Sequence, residues 1–172
     1  MATVNYEGGT YRTFAELPAV GSLAPDVSLV NTSLQDVSLA NFMGKRKLFN
    51  IFISIERPIC AKSVVEFDRF AEGRDDIVML AVSYDLPFAH RRFQEEHGVK
   101  NVIGLSAIRH AGFGENYGVQ IVEGPLAGMF SRAIVVLDEN NTVVHIEQIE
   151  DIRNEPNYGA AFKALGISAD EE

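Results

Sequence analysis

The sequence predicts an α/β protein with a central mixed sheet flanked by helices and an N-terminal β-hairpin. Three observations carry that reading. Two nearly unbroken apolar runs, residues 48–55 and 77–83, have the composition of strands buried on both faces. Each is followed by a segment with a proline at its mouth, Pro58 and Pro87, where a helix's first position tolerates the missing N–H. Late in the chain, two apolar segments flank Glu139-Asn140-Asn141 and read as a closing hairpin. Strands that alternate with helices and end in a hairpin imply a mixed sheet covered on both sides.

The elements follow in order. Gly8-Gly9 lies between Val4-Asn5-Tyr6 and Tyr11-Arg12-Thr13, a β-hairpin with a glycine turn. Ala24-Pro25-Asp26 punctuates the chain before a short strand over residues 27–30. Residues 38–42 read as a helical turn closed by Gly44. The strand over 48–55 comes next, then a helix over 58–72 with Val64, Phe67 and Ala71 at helical spacing. After the strand over 77–83, Pro87 opens a helix carrying Phe88, Arg92 and Gln94. A third strand over 102–105 precedes a helix around 113–117. Strands over 132–138 and 142–147 form the final hairpin, and a helix over 158–165 closes the pattern. A thioredoxin-like layout is one of a few topologies that fit.

Composition narrows the function classes. A chain of 172 residues, 47% hydrophobic and 23% charged, is expected to form one soluble domain, residues 1–172, with a sizeable core. The longest apolar runs fall far short of the ~20 residues of a membrane helix. The polar start, residues 2–12, has no apolar core of a secretory signal, so a cytoplasmic location is the default. A net charge of −9 argues against nucleic acid as partner, since such a footprint needs clustered Lys and Arg. Lys45-Arg46-Lys47 and Arg91-Arg92 read as solvated edges of a strand and a helix.

Most motif candidates fall away on spacing. Gly112-Phe113-Gly114-Glu115-Asn116-Tyr117-Gly118 suggests a dinucleotide loop, but its third glycine comes one residue late and no acidic residue sits at the ribose position. His90, His97, His110 and His145 offer no pair at zinc-binding spacing, so they read as satisfied or solvated, and no metal is expected. Asn31-Thr32-Ser33 and Asn140-Asn141-Thr142 match a glycosylation pattern that has no meaning without secretion. The single cysteine, Cys60, rules out an internal disulfide. With Pro58 at the first helical position, Cys60 falls near the third, in the turn whose free N–H groups and dipole favour an anion. A reactive thiol and a small apolar residue packed under the sheet are equally consistent with that spacing.

Longer motifs settle the balance. The stretches Gly44-Lys45-Arg46-Lys47-Leu48-Phe49-Asn50-Ile51-Phe52, Ser83-Tyr84-Asp85-Leu86-Pro87-Phe88-Ala89 and Gly124-Pro125-Leu126 resemble those of a bacterial thiol peroxidase of the peroxiredoxin superfamily. So do residues 132–140 and Glu155-Pro156-Asn157-Tyr158, all in the family's order and spacing. The resemblance implies a thioredoxin-like fold, a homodimer, and reduction of hydrogen peroxide or alkyl hydroperoxides without a cofactor. It places the peroxidatic cysteine at Cys60, where a thiolate attacks peroxide and becomes a sulfenic acid. It places at Arg132 the arginine that holds the thiolate and the peroxide oxygens. The backbone N–H groups of Ile59 and Cys60 stand at the other donors.

Three positions depart from the family's pattern. A proline seven residues before the cysteine is Ile53 here, and a threonine three before it is Arg57. A threonine hydroxyl donates and accepts hydrogen bonds, whereas a guanidinium only donates. Two guanidinium groups near one sulfur favour its anion, and Arg57 also suits an anionic ligand. The family's resolving cysteine is Gln94, so a sulfenic acid on Cys60 requires an external thiol reductant, thioredoxin-like or of low molecular weight. Two functions follow: a peroxidase with a one-cysteine cycle, or a redox-silent homologue kept as a binding or sensing module.

Overall fold

The computed structural model describes residues 1–167 and opens with an antiparallel hairpin of β1 (Thr3–Tyr6) and β2 (Gly9–Arg12). Two short strands follow, β3 (Leu29–Val30) and β4 (Asp36–Val37), then a 3-10 turn over Leu39–Phe42. The repeating part runs β5 (Arg46–Ile51), α1 (Pro58–Ala71), β6 (Ile77–Ser83), α2 (Pro87–His97), β7 (Val102–Ser106) and α3 (Gly112–Asn116). The hairpin of β8 (Arg132–Leu137) and β9 (Val143–Ile149) comes next, and α4 (Tyr158–Ala164) ends the described chain. Among the described residues the main sheet has seven strands, ordered β4-β3-β7-β6-β5-β8-β9. β5, β6 and β7 are parallel, while β8 runs antiparallel to β5 and β9 to β8. This is the expected mixed sheet, with a separate N-terminal hairpin.

Side chains of the buried strands alternate between two apolar layers, as the pleat requires. Leu48, Phe52, Met79 and Ile134 pack with Cys60, Val64 and Phe67 of α1 and Phe162 of α4. Phe49, Ile51, Leu80, Val82 and Val135 pack on the opposite face with Phe113, Tyr117 and Phe130. A third, smaller cluster of Val4, Ile53, Ile121, Leu126 and Ile152 seats the N-terminal hairpin against the loop before α1.

Most predicted bounds differ by a residue or two, the ordinary ambiguity of element ends. Two expectations need correction. The apolar run continues to Ile55, but β5 stops at Ile51. Phe52 N still donates to the Val82 carbonyl of β6 at 3.1 Å, but Ser54 Oγ and Ile55 N turn to Asp85, and Phe52, Ile53 and Ile55 are buried in a loop. Lys47, read as part of a solvated edge, is fully buried within β5. Its ammonium donates to Asn141 Oδ1 at 2.6 Å, which satisfies it beneath the β8–β9 turn. Burial pulls its pKa down, and Asp138 and Glu139 oppose that shift. Lys45, Arg91 and Arg92 are exposed as expected.

Candidate active site

Helix α1 begins where local chemistry says it should. Arg57 is the N-cap in extended conformation (φ −84°, ψ 129°), Pro58 takes the first position, and Cys60 the third. The first backbone bond of the helix runs from Ala61 N to Arg57 O at 2.9 Å. The amides of Ile59 and Cys60 precede that bond and, among the described residues, have no acceptor. The turn is pinned to β5: Asn50 Nδ2 donates to Ser63 Oγ at 2.9 Å, and Ser63 Oγ donates to the Cys60 carbonyl at 2.6 Å. Cys60 is a free thiol with no exposed surface, and Ile59 beside it is half-buried.

Arg132, the first residue of β8, is the largest fully buried side chain. Its Nη1 donates to the carbonyls of Ile152 (3.1 Å) and Asn154. Its Nε and Nη2 are buried with no hydrogen-bond partner among the described residues. Unpaired buried donors cost free energy, so an edge of a guanidinium kept this way is a site waiting for an acceptor. Burial lowers the Arg132 pKa from its usual value; Cys60 and Tyr158 oppose the shift, Arg57 adds to it, and Glu147 opposes it. The cysteine and both arginines therefore share one electrostatic neighbourhood.

Arg57 is half-buried, and its guanidinium carbon lies 6.0 Å from the centre of the Tyr6 ring. It borders a cavity of about 650 Å³ between residues 5–10 of the hairpin and residues 151–153. Ile53, where the resembled pattern has proline, is buried in the cluster beneath that hairpin. Gln94 donates through Nε2 to the Val102 carbonyl at 3.1 Å, which ties α2 to β7. Among the described residues no group of three or more metal-ligating side chains is assembled.

The sequence reading missed the clamp that shapes the loop before α1. Asp85 accepts from Ile55 N (2.7 Å), Ser54 Oγ (2.8 Å) and Ser83 Oγ (2.5 Å), and Ser83 Oγ lies 3.1 Å from His90 Nε2. His90 is buried, and desolvation lowers its pKa to about 4 against the opposing pull of Asp85. It is therefore neutral at neutral pH. Ser83-Tyr84-Asp85 before Pro87 marks a turn in the sequence, but nothing local names Ser54 and Ile55 as its partners.

A family model described as Redoxin matches residues 19–162. The chain belongs to the redoxin family. Within it, the chain is a member of the thiol peroxidase group of peroxiredoxins, with a single cysteine. It is 46% identical over 166 residues to a thiol peroxidase from Mycobacterium bovis, covering 96% of this chain and 99% of that one. Two solved structures share the fold, each covering 95% of both chains. A peroxiredoxin-like protein from Aquifex aeolicus superposes with a TM-score of 0.88 at 29% identity. A thiol peroxidase from Chromobacterium violaceum gives 0.86 at 27%. The thioredoxin-like layout expected of this redoxin is thus the one its structural relatives have.

Proposed function

We propose that this redoxin is a thiol-dependent peroxidase that reduces hydrogen peroxide or alkyl hydroperoxides through a sulfenic acid on Cys60. The observation that carries this reading is the pairing of Cys60, beside two unpartnered amides, with a buried Arg132 that has two unused donors. In the proposed step the Cys60 thiolate attacks one peroxide oxygen. An S–O bond forms and the O–O bond breaks; the sulfur is oxidised by two electrons, and water or alcohol leaves once its oxygen takes a proton. The Ile59 and Cys60 amides and the free edge of Arg132 are donors set in advance for charge developing on the oxygens. Ile59 and Arg57 flank the approach. Cys60 has no exposed surface, so peroxide reaches it when the loop ahead of α1 opens locally.

Regeneration uses an outside thiol. One thiol displaces water from the sulfenic acid to give a mixed disulfide, and a second displaces Cys60, so the two electrons come from the reductant. Gln94, bonded to the Val102 carbonyl, offers no sulfur for an internal disulfide. A thioredoxin-like protein or a low-molecular-weight thiol fits the role. A homodimer in the cytoplasm completes the proposal. The exposed Leu86 and Phe88 at the start of α2 are suited to pairing, and no helix among the described residues is long and apolar enough to cross a membrane.

The test is intact-mass analysis of the reduced protein. Stoichiometric peroxide is expected to add one oxygen, trapped by a sulfenic-acid reagent at Cys60 and absent from Cys60→Ser. Excess peroxide should add a second oxygen, because nothing internal intercepts the sulfenic acid. An unchanged mass after long exposure to millimolar peroxide refutes the peroxidase and leaves a redox-silent binding module.

A further inference from the structure

The cavity beside α1 has walls of mixed character and borders the guanidinium of Arg57. Its apolar surface comes from the Tyr6 ring and Ile152, and Gly8 and Gly9 leave room at the hairpin tip. Its second cation is already paired. Arg153 is held by Asp151, with Nη2 to Oδ2 at 2.7 Å and Nε to Oδ1 at 3.0 Å. Glu7, also in the lining, is exposed, where solvent and salt screen its charge. Arg57 has no carboxylate within ion-pair distance among the described residues; its guanidinium carbon lies 6.0 Å from the centre of the Tyr6 ring, and it shares the electrostatic neighbourhood of Arg132. A half-buried guanidinium beside a cavity, with its planar fork free, is the group best shaped to take a carboxylate.

The cavity is also linked to the sulfur. The carbonyl of Ile152, in its wall, accepts a hydrogen bond from Arg132 Nη1 at 3.1 Å, so the wall and the buried arginine are directly joined. Arg57 and Cys60 stand at the N-cap and third position of the same helix. About 4.5 Å of helical rise separates them, to which the arginine side chain adds its length. A volume near 650 Å³ is large for hydrogen peroxide and is in the range of small organic ligands.

The geometry points to an organic hydroperoxide that carries a carboxylate as a preferred substrate: Arg57 holds the carboxylate, the chain lies against Tyr6 and Ile152, and the peroxide meets Cys60 when the loop ahead of α1 opens. This inference rests on the peroxidase reading and names its substrate class. The covalent step is unchanged. The Cys60 sulfur gains one peroxide oxygen, the O–O bond breaks, and the corresponding hydroxy acid leaves with the proton.

The test compares three peroxides: ω-hydroperoxyhexanoate, its methyl ester and hydrogen peroxide. Second-order rates of Cys60 oxidation are measured at low and high salt in the natural protein, Arg57→Thr and Arg57→Lys. The expected result is a preference for the acid over the ester of about tenfold at low salt, equivalent to about 1.4 kcal/mol. That ratio should fall below about twofold in Arg57→Thr, be partly kept in Arg57→Lys, and shrink with salt for the natural protein. Taking the ratio within each variant removes any general effect of the substitution on the thiol. An acid-to-ester ratio near one in the natural protein, or one unchanged in Arg57→Thr, overturns the inference while hydrogen peroxide still oxidises Cys60. No oxidation by any of the three overturns the peroxidase reading and this inference with it.

Discussion

Replacing Asp85 by alanine removes the clamp that bends the chain between β5 and α1. The carboxylate accepts from Ile55 N at 2.7 Å, Ser54 Oγ at 2.8 Å and Ser83 Oγ at 2.5 Å. Hydrogen bonds to a charged acceptor contribute about 1.5–3 kcal/mol each when buried. Asp85 is partly exposed, so solvent reduces that to roughly 1 kcal/mol per bond, or about 3 kcal/mol in all. Asp85→Asn keeps one acceptor oxygen and is expected to lose about half as much. The consequence for chemistry is sharper than the stability cost, because Ser54 and Ile55 lead directly into Arg57 and the turn that holds Cys60. With the loop untied, the now-accessible thiol should be alkylated faster by iodoacetamide, yet react with peroxide about tenfold more slowly. Alkylation needs only exposure, whereas peroxide reduction needs the donors in place. Denaturant unfolding and stopped-flow oxidation measure the two effects. A stability loss under about 1 kcal/mol together with an unchanged peroxide rate would show that Asp85 does not position the loop.

Two further outcomes concern groups away from the sulfur. His90 has its pKa lowered to about 4 from the ordinary 6.5, so the folded state binds fewer protons than the unfolded chain between those values. Its contribution is fully present above pH 6.5 and is lost as the pH falls toward 4, by up to about 3 kcal/mol. Unfolding free energies measured across that window should fall less steeply in His90→Gln, and equal slopes would refute the assignment. Gly124 has φ +79°, and a Cβ there would lie 2.3 Å from Cδ1 of Tyr11. Gly124→Ala should therefore destabilise by about 2–3 kcal/mol through backbone strain and overlap. Adding Tyr11→Ala should recover the overlap part, and strictly additive losses in the double variant would refute the contact.

What the sequence made legible was what neighbours in the chain decide. The strand Ile77–Ser83 and the helix starts at Pro58 and Pro87 follow from local composition, and so does the third-position placement of Cys60. Apolar content reports burial, not conformation, which is why the run to Ile55 read as strand although Phe52, Ile53 and Ile55 are buried in a loop. Arg132 was reached through resemblance alone, because its place beside Cys60 depends on β8 lying next to β5. The Asp85 clamp and the cavity were illegible for the same reason: both join distant segments. The cavity exists because Asn5 N donates to the Glu150 carbonyl at 2.7 Å and Thr3 Oγ1 to Glu150 Oε1 at 2.8 Å, fixing the hairpin over residues 150–153. Beneath it, Ile53 packs with Val4, Ile121, Leu126 and Ile152. Two departures from the resembled pattern, which looked unrelated in the sequence, thus meet on one feature. Ile53 supports the hairpin that walls the cavity, and Arg57 supplies the charge that faces it. A proline at Ile53 would remove much of that apolar support, so the altered cysteine loop reads as one coupled change in what the site admits.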